Sequence, residues 1–107
     1  MRRFGQVIRV RPEHVEEYIE YHKAIWPGVA KMIKECNIQN YSIYRWNGLL
    51  FAYLEYVGDN FEADQAKMAA DPETQRWWDV VKPFQEPVED REPGEWWKNI
   101  DEVFHLD

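Results

Sequence analysis

Cysteine is nearly absent from these 107 residues, and the single Cys36 has no partner for an intrachain disulfide. Any core must therefore hold by packing alone. Glycine is scarce, five in all, and none falls in a Gly-rich phosphate loop, so a nucleotide cradle is hard to build. Neither a C-x-x-C pair nor a G-x-S-x-G elbow is present. Positive charge is short as well: 13 Lys and Arg against 20 Asp and Glu leave −7 at pH 7, the wrong sign for a surface that tracks phosphates. No run approaches the ~18 apolar residues of a membrane span, and no helix candidate pairs a basic face with an apolar one. The N-terminal MRRFGQVIRVRPE lacks the apolar run of a secretion signal. These absences lead to the expectation of a reduced, cytoplasmic protein with neither nucleic acid nor membrane as partner. A metal site is not expected either, because His14, His22 and His105 are not spaced three or four residues apart.

What the chain has in quantity is aromatic side chains: six Trp, six Tyr and five Phe. They explain how 45% hydrophobic residues coexist with a mean hydropathy of −0.71. Each Trp and Tyr brings an apolar ring and a polar N–H or O–H, so this composition suits either a core that finds hydrogen-bond partners or a site that offers both surfaces to a ligand. The length and the mass of 13.0 kDa fit one domain over residues 1–107. At that mass the folded chain should expose about 6,300 Å² against about 19,000 Å² extended, enough burial for a core without staples.

Phe4 to Arg11 alternates as a strand, with Phe4, Ile8 and Val10 on one face, and Pro12 ends it. From Glu13 the apolar residues recur at three and four: Val15, Tyr18, Ile19, His22, Ile25 and Trp26, behind an acidic first turn. Pro27 breaks that helix at Trp26 and starts another, which runs to about Cys36 with Asn37 as its stop. Ile38 to Trp46 and Leu49 to Val57 are strands joined by Asn47-Gly48, the preferred pair for a tight hairpin turn. Asp59 or Asn60 caps a helix over Phe61 to Ala70, and Asp71-Pro72 restarts one that Pro83 stops. Pro83 to Gly94 reads as an extended loop, and a last strand is expected near Glu102 to Leu106. The order β-α-β-β-α-β is the ferredoxin-like split βαβ, an α+β fold with a four-stranded antiparallel sheet and helices on one face. Large side chains such as Tyr44, Trp46, Phe51 and Tyr53 occupy both faces of the strands, so the open face is expected to pack on a second subunit as a homodimer.

Tyr18, His22 and Trp26 share one helical stripe aimed at the sheet. They form either a core around a hydrogen-bonded histidine or a site whose polar atoms await a ligand. Tyr41 joins them if its face of the strand is the covered one, and Ile43 with it; otherwise it is an ordinary cross-strand aromatic. Trp77 and Trp78 point about 100° apart on a helix, so at most one is expected to lie flat on a ligand. Trp96 and Trp97 are expected to clamp the fold or a dimer, and Cys36 to be an inert thiol.

The strings HVEEYIEYHKAIWP, QNYSIY, LLFAYLEY, DPETQRWW and EVFHLD, in this order and spacing, resemble the L-rhamnose mutarotase family over nearly the whole chain. The resemblance implies a cofactor-free isomerase of the dimeric α/β barrel type that interconverts the α and β anomers of a 6-deoxyhexose such as L-rhamnose. It implies His22 as the catalytic proton donor and Tyr18, Tyr41, Trp77 and Trp78 as the residues that hold the monosaccharide. After Lys82 the chain departs from the family pattern with PFQEPVEDREPGEWWK, which leaves any loop contacts open. Mutarotation needs only a proton delivered to the ring oxygen and one removed from the anomeric hydroxyl, and an imidazole titrating near neutrality suits both transfers. Two other functions share such a fold: a cofactorless or haem-dependent monooxygenase and a non-catalytic sugar-binding module.

Overall fold

The computed structural model describes residues 1–107. Strand β1 (Arg2–Val10) is the centre of the sheet, and a 3-10 turn at Pro12–His14 leads into helix α1 (Val15–Lys23). Helix α2 (Pro27–Glu35), strands β2 (Ile38–Trp46) and β3 (Leu49–Tyr56), and helices α3 (Phe61–Ala70) and α4 (Pro72–Val81) follow. A second 3-10 turn at Lys82–Phe84 precedes two short strands, β4 (Gln85–Glu86) and β5 (Lys98–Ile100). The antiparallel sheet runs β2-β3-β1, and β4 and β5 share the far edge of β1, Val10 pairing Gln85 and Gly5 pairing Ile100. This is the ferredoxin-like α+β architecture of the dimeric α/β barrel type.

Local signals account for most of the boundaries. Trp26 takes an extended ψ of 133° ahead of Pro27, as the residue before a proline prefers, and α2 begins there. Helix α1 nevertheless ends at Lys23 rather than at Trp26, so Trp26 reaches the core as the cap of α2 and not as a third step on the α1 stripe. Asn47 and Gly48 both have positive φ, 52° and 78°, which the tight hairpin turn requires. Asn60 caps α3 by accepting from the Ala63 N–H. Asp71 ends α3 and caps α4, accepting from both the backbone N–H and the hydroxyl of Thr74 at 2.9 and 2.8 Å.

The helix-covered face carries Ile8 and Val10 of β1, Leu50, Ala52, Leu54 and Tyr56 of β3, and Ile38 of β2, all buried. Two apolar clusters fill the space beneath the helices: one gathers Ile8, Leu50, Tyr18, Val29 and Trp77, the other Cys36, Ile38, Leu54 and Met68. The Cys36 thiol is fully buried beside the Met32 sulfur, and burial pushes its pKa up, which matches the inert role expected of it. The opposite face is open: Tyr44 and Trp46 keep 64% and 68% of their surface.

The strand expected near Glu102 to Leu106 lies earlier, at Lys98–Ile100. The register explains it. With Gly5 opposite Ile100, the edge of β1 runs out opposite residue 103, and Arg3 holds Glu102 by two contacts of 2.9 Å at that end. Beyond it Phe104 and Leu106 have no edge left to pair with, and they and Val103 are exposed. The loop expected from Pro83 to Gly94 also contains structure, the 3-10 turn and β4.

Because Asp71 serves two helices, Asp71→Ala should lower stability by about 1 to 2 kcal/mol, the upper part of the range for a lost N-cap. A urea titration should show an earlier midpoint with an unchanged slope.

Candidate active site

Between the helices and the covered face of the sheet lies a cavity of about 530 Å³, within the usual size range for a small-molecule site. Tyr18, His22, Tyr41, Trp77 and Trp78 all line it. These five meet at one cavity, and Ile43 joins them, whereas Trp26 of the same stripe packs on Trp77 and is not part of the wall.

Tyr41 reaches the cavity through an irregularity in β2. Strict alternation would set Tyr41 on the face opposite Ile38, but the register shifts between Gln39 and Ser42, where Asn40 adopts a positive φ of 49°. The extra residue of this bulge turns Tyr41 and Ile43 to the covered side, with Ile43 opposite Ala52. Although 39% of Tyr41 remains exposed, burial of its hydroxyl pushes the phenol pKa up to about 12. Tyr18 is driven up further, first by burial and then by the neighbouring Tyr41 phenol. Both phenols are neutral donors and acceptors at any physiological pH.

The imidazole of His22 is held on three sides. Its ring stacks on Tyr18 at 4.0 Å and 25°, and the edge of Trp77 meets it at 5.2 Å and 65°. Its Nδ1 lies 2.8 Å from the Tyr18 carbonyl oxygen one helical turn earlier. A carbonyl can only accept, so Nδ1 carries the proton, and in the neutral ring Nε2 is the basic atom. Nε2 has no partner within the chain and is not buried. The His22 pKa is lowered because burial, which disfavours the cation, outweighs the hydrogen bond to Tyr18 that favours it. The resting imidazole is a neutral base.

Trp77 and Trp78, of which at most one was expected to lie flat on a ligand, both form cavity wall. Trp77 is buried and packs edge-on against Tyr21, His22 and Trp26, yet it also forms cavity wall. Trp78 lines the cavity under the Lys82 ammonium, which lies 4.8 Å from its ring centroid. Side chains about 100° apart on α4 thus both reach the same cavity. Trp96 and Trp97 also line it, rather than only clamping the fold, and Gln85 lies buried at its wall. The sequence reading missed Gln85. Its one available signal was its position directly after the helix-stopping Pro83-Phe84, at the return of the chain to the sheet.

A half-buried neutral imidazole, two phenols and four indoles around one cavity make an acid–base pocket for a small polar molecule with apolar faces, set on a ferredoxin-like fold. The family model for L-rhamnose mutarotase matches residues 3–106. The L-rhamnose mutarotase of Lactiplantibacillus plantarum is 36% identical, with all of both chains covered. The crystal structure of L-rhamnose mutarotase from Formosa agariphila superposes with a TM-score of 0.77 at 21% identity, covering all of both chains. Tetracenomycin F2 cyclase from Streptomyces glaucescens shares the fold, with a TM-score of 0.67 at 17% identity over 100% of this chain and 98% of that one. The chain belongs to the L-rhamnose mutarotase family.

Histidine C–H resonances followed against pH should show His22 titrating below the value of about 6.5 usual for a free imidazole. A value at or above that would contradict the burial of its ring.

Proposed function

We propose that the protein interconverts the α and β anomers of L-rhamnose, with His22 as the proton-transfer group and Tyr18, Tyr41, Trp77 and Trp78 holding the sugar. Family membership supports the reaction, and the observation that carries the assignment of roles is the bond from His22 Nδ1–H to the Tyr18 carbonyl. That bond leaves Nε2 as the one basic nitrogen available to the cavity.

In the proposed cycle Nε2 takes the proton of the anomeric hydroxyl as the C1–O5 bond breaks. The ring oxygen gains a proton relayed from solvent water through a phenol hydroxyl, which passes its own proton to O5 as it takes the water's and so stays uncharged. The aldehyde then turns about C1–C2, and O5 adds to the other face of C1 and returns its proton along the same relay. The imidazolium gives its proton back to O1. His22 is thus base on opening and acid on closure, so the proton-donor role implied by the resemblance is half of the cycle. The indoles offer apolar surface to the C–H groups and methyl of a 6-deoxysugar.

The protein works as a cytoplasmic homodimer of one mutarotase-like domain, 1–107, in this proposal. It exposes 7357 Å², well above the ~6,300 Å² expected of a monomer of this mass, and only 16 of its 107 residues are buried. Tyr44, Trp46 and Ile100 on the open sheet face, with the Val103–Leu106 tail, supply apolar surface for a second copy. The net charge of −7 argues against nucleic acid as partner.

Saturation-transfer NMR on L-rhamnose should show anomer exchange accelerated by the wild type. His22→Ala should lose about 10² to 10⁴ of that rate with its fold intact. A sugar-binding module would instead bind L-rhamnose without raising exchange in either protein. Because the neutral imidazole is the working base, kcat/KM should be flat above neutrality and fall on the acid side, at a pH below about 6.5. In sedimentation the wild type should run near twice 13.0 kDa, and the double variant Tyr44→Glu, Trp46→Glu should run as a monomer.

A further inference from the structure

Outside the aromatic set, Thr74 and Gln85 are the only buried polar side chains. The Asp71 cap accounts for Thr74. Gln85 keeps 5% of its surface, sits on the two-residue β4 opposite Val10, and turns its amide to the cavity. An amide buried this way is costly unless both of its ends are bonded. They are: the Trp96 Nε1–H donates to Oε1 at 2.8 Å, and Nε2 donates to the Tyr18 hydroxyl oxygen at 3.4 Å, a long contact of the kind that tightens around a ligand.

The direction of this chain follows from chemistry. The oxygen and nitrogen of an amide have the same shape, and their neighbours decide which is which. An indole N–H can only donate, so the end facing Trp96 is the oxygen and the end facing Tyr18 is the NH₂. The Tyr18 oxygen therefore receives a hydrogen bond, and its own proton, which no group in the chain accepts, remains to be given. The Lys82 ammonium braces the arrangement, lying 4.8 Å from the Trp78 ring and 5.3 Å from the Trp96 ring.

We infer that Trp96 and Gln85 form a directional relay that sets Tyr18 as a hydrogen-bond donor toward an oxygen of the bound sugar. Gln85 is a positioning residue acting through Tyr18, and Trp96 orients Gln85. The inference rests on the proposed sugar site and extends it to a segment where the chain leaves the family pattern. Without the Trp96 N–H the amide is free to turn over, present Oε1 to Tyr18 and take the phenolic proton for itself. The sugar oxygen then loses its donor.

The test combines L-rhamnose anomer exchange with indole ¹H–¹⁵N spectra of the free protein. Gln85→Leu and Trp96→Phe are each made in the wild-type and Tyr18→Phe backgrounds. In the wild-type background each should lower kcat/KM about tenfold, mainly through KM, as for one lost hydrogen bond. The acid limb of the pH profile should stay in place, because His22 is untouched. In the Tyr18→Phe background neither should cost more than about twofold further, since the partner they act through is gone. Gln85→Leu should also move the Trp96 indole N–H resonance upfield. Trp96→Phe keeps a ring and loses the N–H, so the kinetic arm survives if Gln85→Leu folds poorly. Losses that persist at full size without the Tyr18 hydroxyl overturn the relay, as does a wild-type kcat/KM in both single variants. Failure of the wild type to exchange L-rhamnose would sink the sugar reading alone; an indole resonance that stays put in Gln85→Leu overturns the relay whichever sugar is turned over.

Discussion

The site depends on one contact, the 2.8 Å bond from His22 Nδ1–H to the carbonyl of Tyr18. It decides which nitrogen holds the proton, and with the ring stacked on Tyr18 at 4.0 Å it decides where the other nitrogen stands. Neither contact is strong alone, since a net hydrogen bond contributes about 1 kcal/mol and an aromatic pair about 0.5 to 1.5 kcal/mol. Burial of the ring outweighs the hydrogen bond in setting the pKa, and so the imidazole rests neutral. The same helix supplies the stack, the acceptor and the base, and little besides the end of α1 has to be positioned.

Positioning that end is the task of Trp77. Its indole meets Tyr21, His22 and Trp26 edge-on, from the last turn of α1 to the first residue before α2. The break at Trp26-Pro27 lets the chain turn around this indole, and Asp71 sets the start of the helix that carries it. A cap, a proline and one large ring thus fix the geometry around His22 from three separate places in the chain.

What was legible in the sequence was local. Asn47-Gly48, Asn60, Asp71 and Trp26-Pro27 each specify backbone geometry within four residues, and each appears where its chemistry puts it. The five site residues were nominated by a helical stripe and a family pattern, and all line one cavity. Features that depend on distant pairing were not legible. The bulge that turns Tyr41 inward has only Asn40 to announce it, and the last strand is placed by the length of β1 rather than by its own alternation. Gln85, Trp96 and Trp97 lie in a stretch without a period, so no face could be assigned to them before the cavity was seen.

The segment between β4 and β5 leaves β1 at Arg9 and Val10 and returns to it at Gly5 to Val7, so both of its ends are moored on the same strand. Its Gly94 to Trp97 end lines the cavity, and Trp96 reaches Tyr18 through the Gln85 amide. Its middle, residues 88–92, forms hydrogen bonds only within the segment or to Lys98. Length and lining are thereby separable, and a lineage can resize the arch while inheriting the Trp96 end that touches the site.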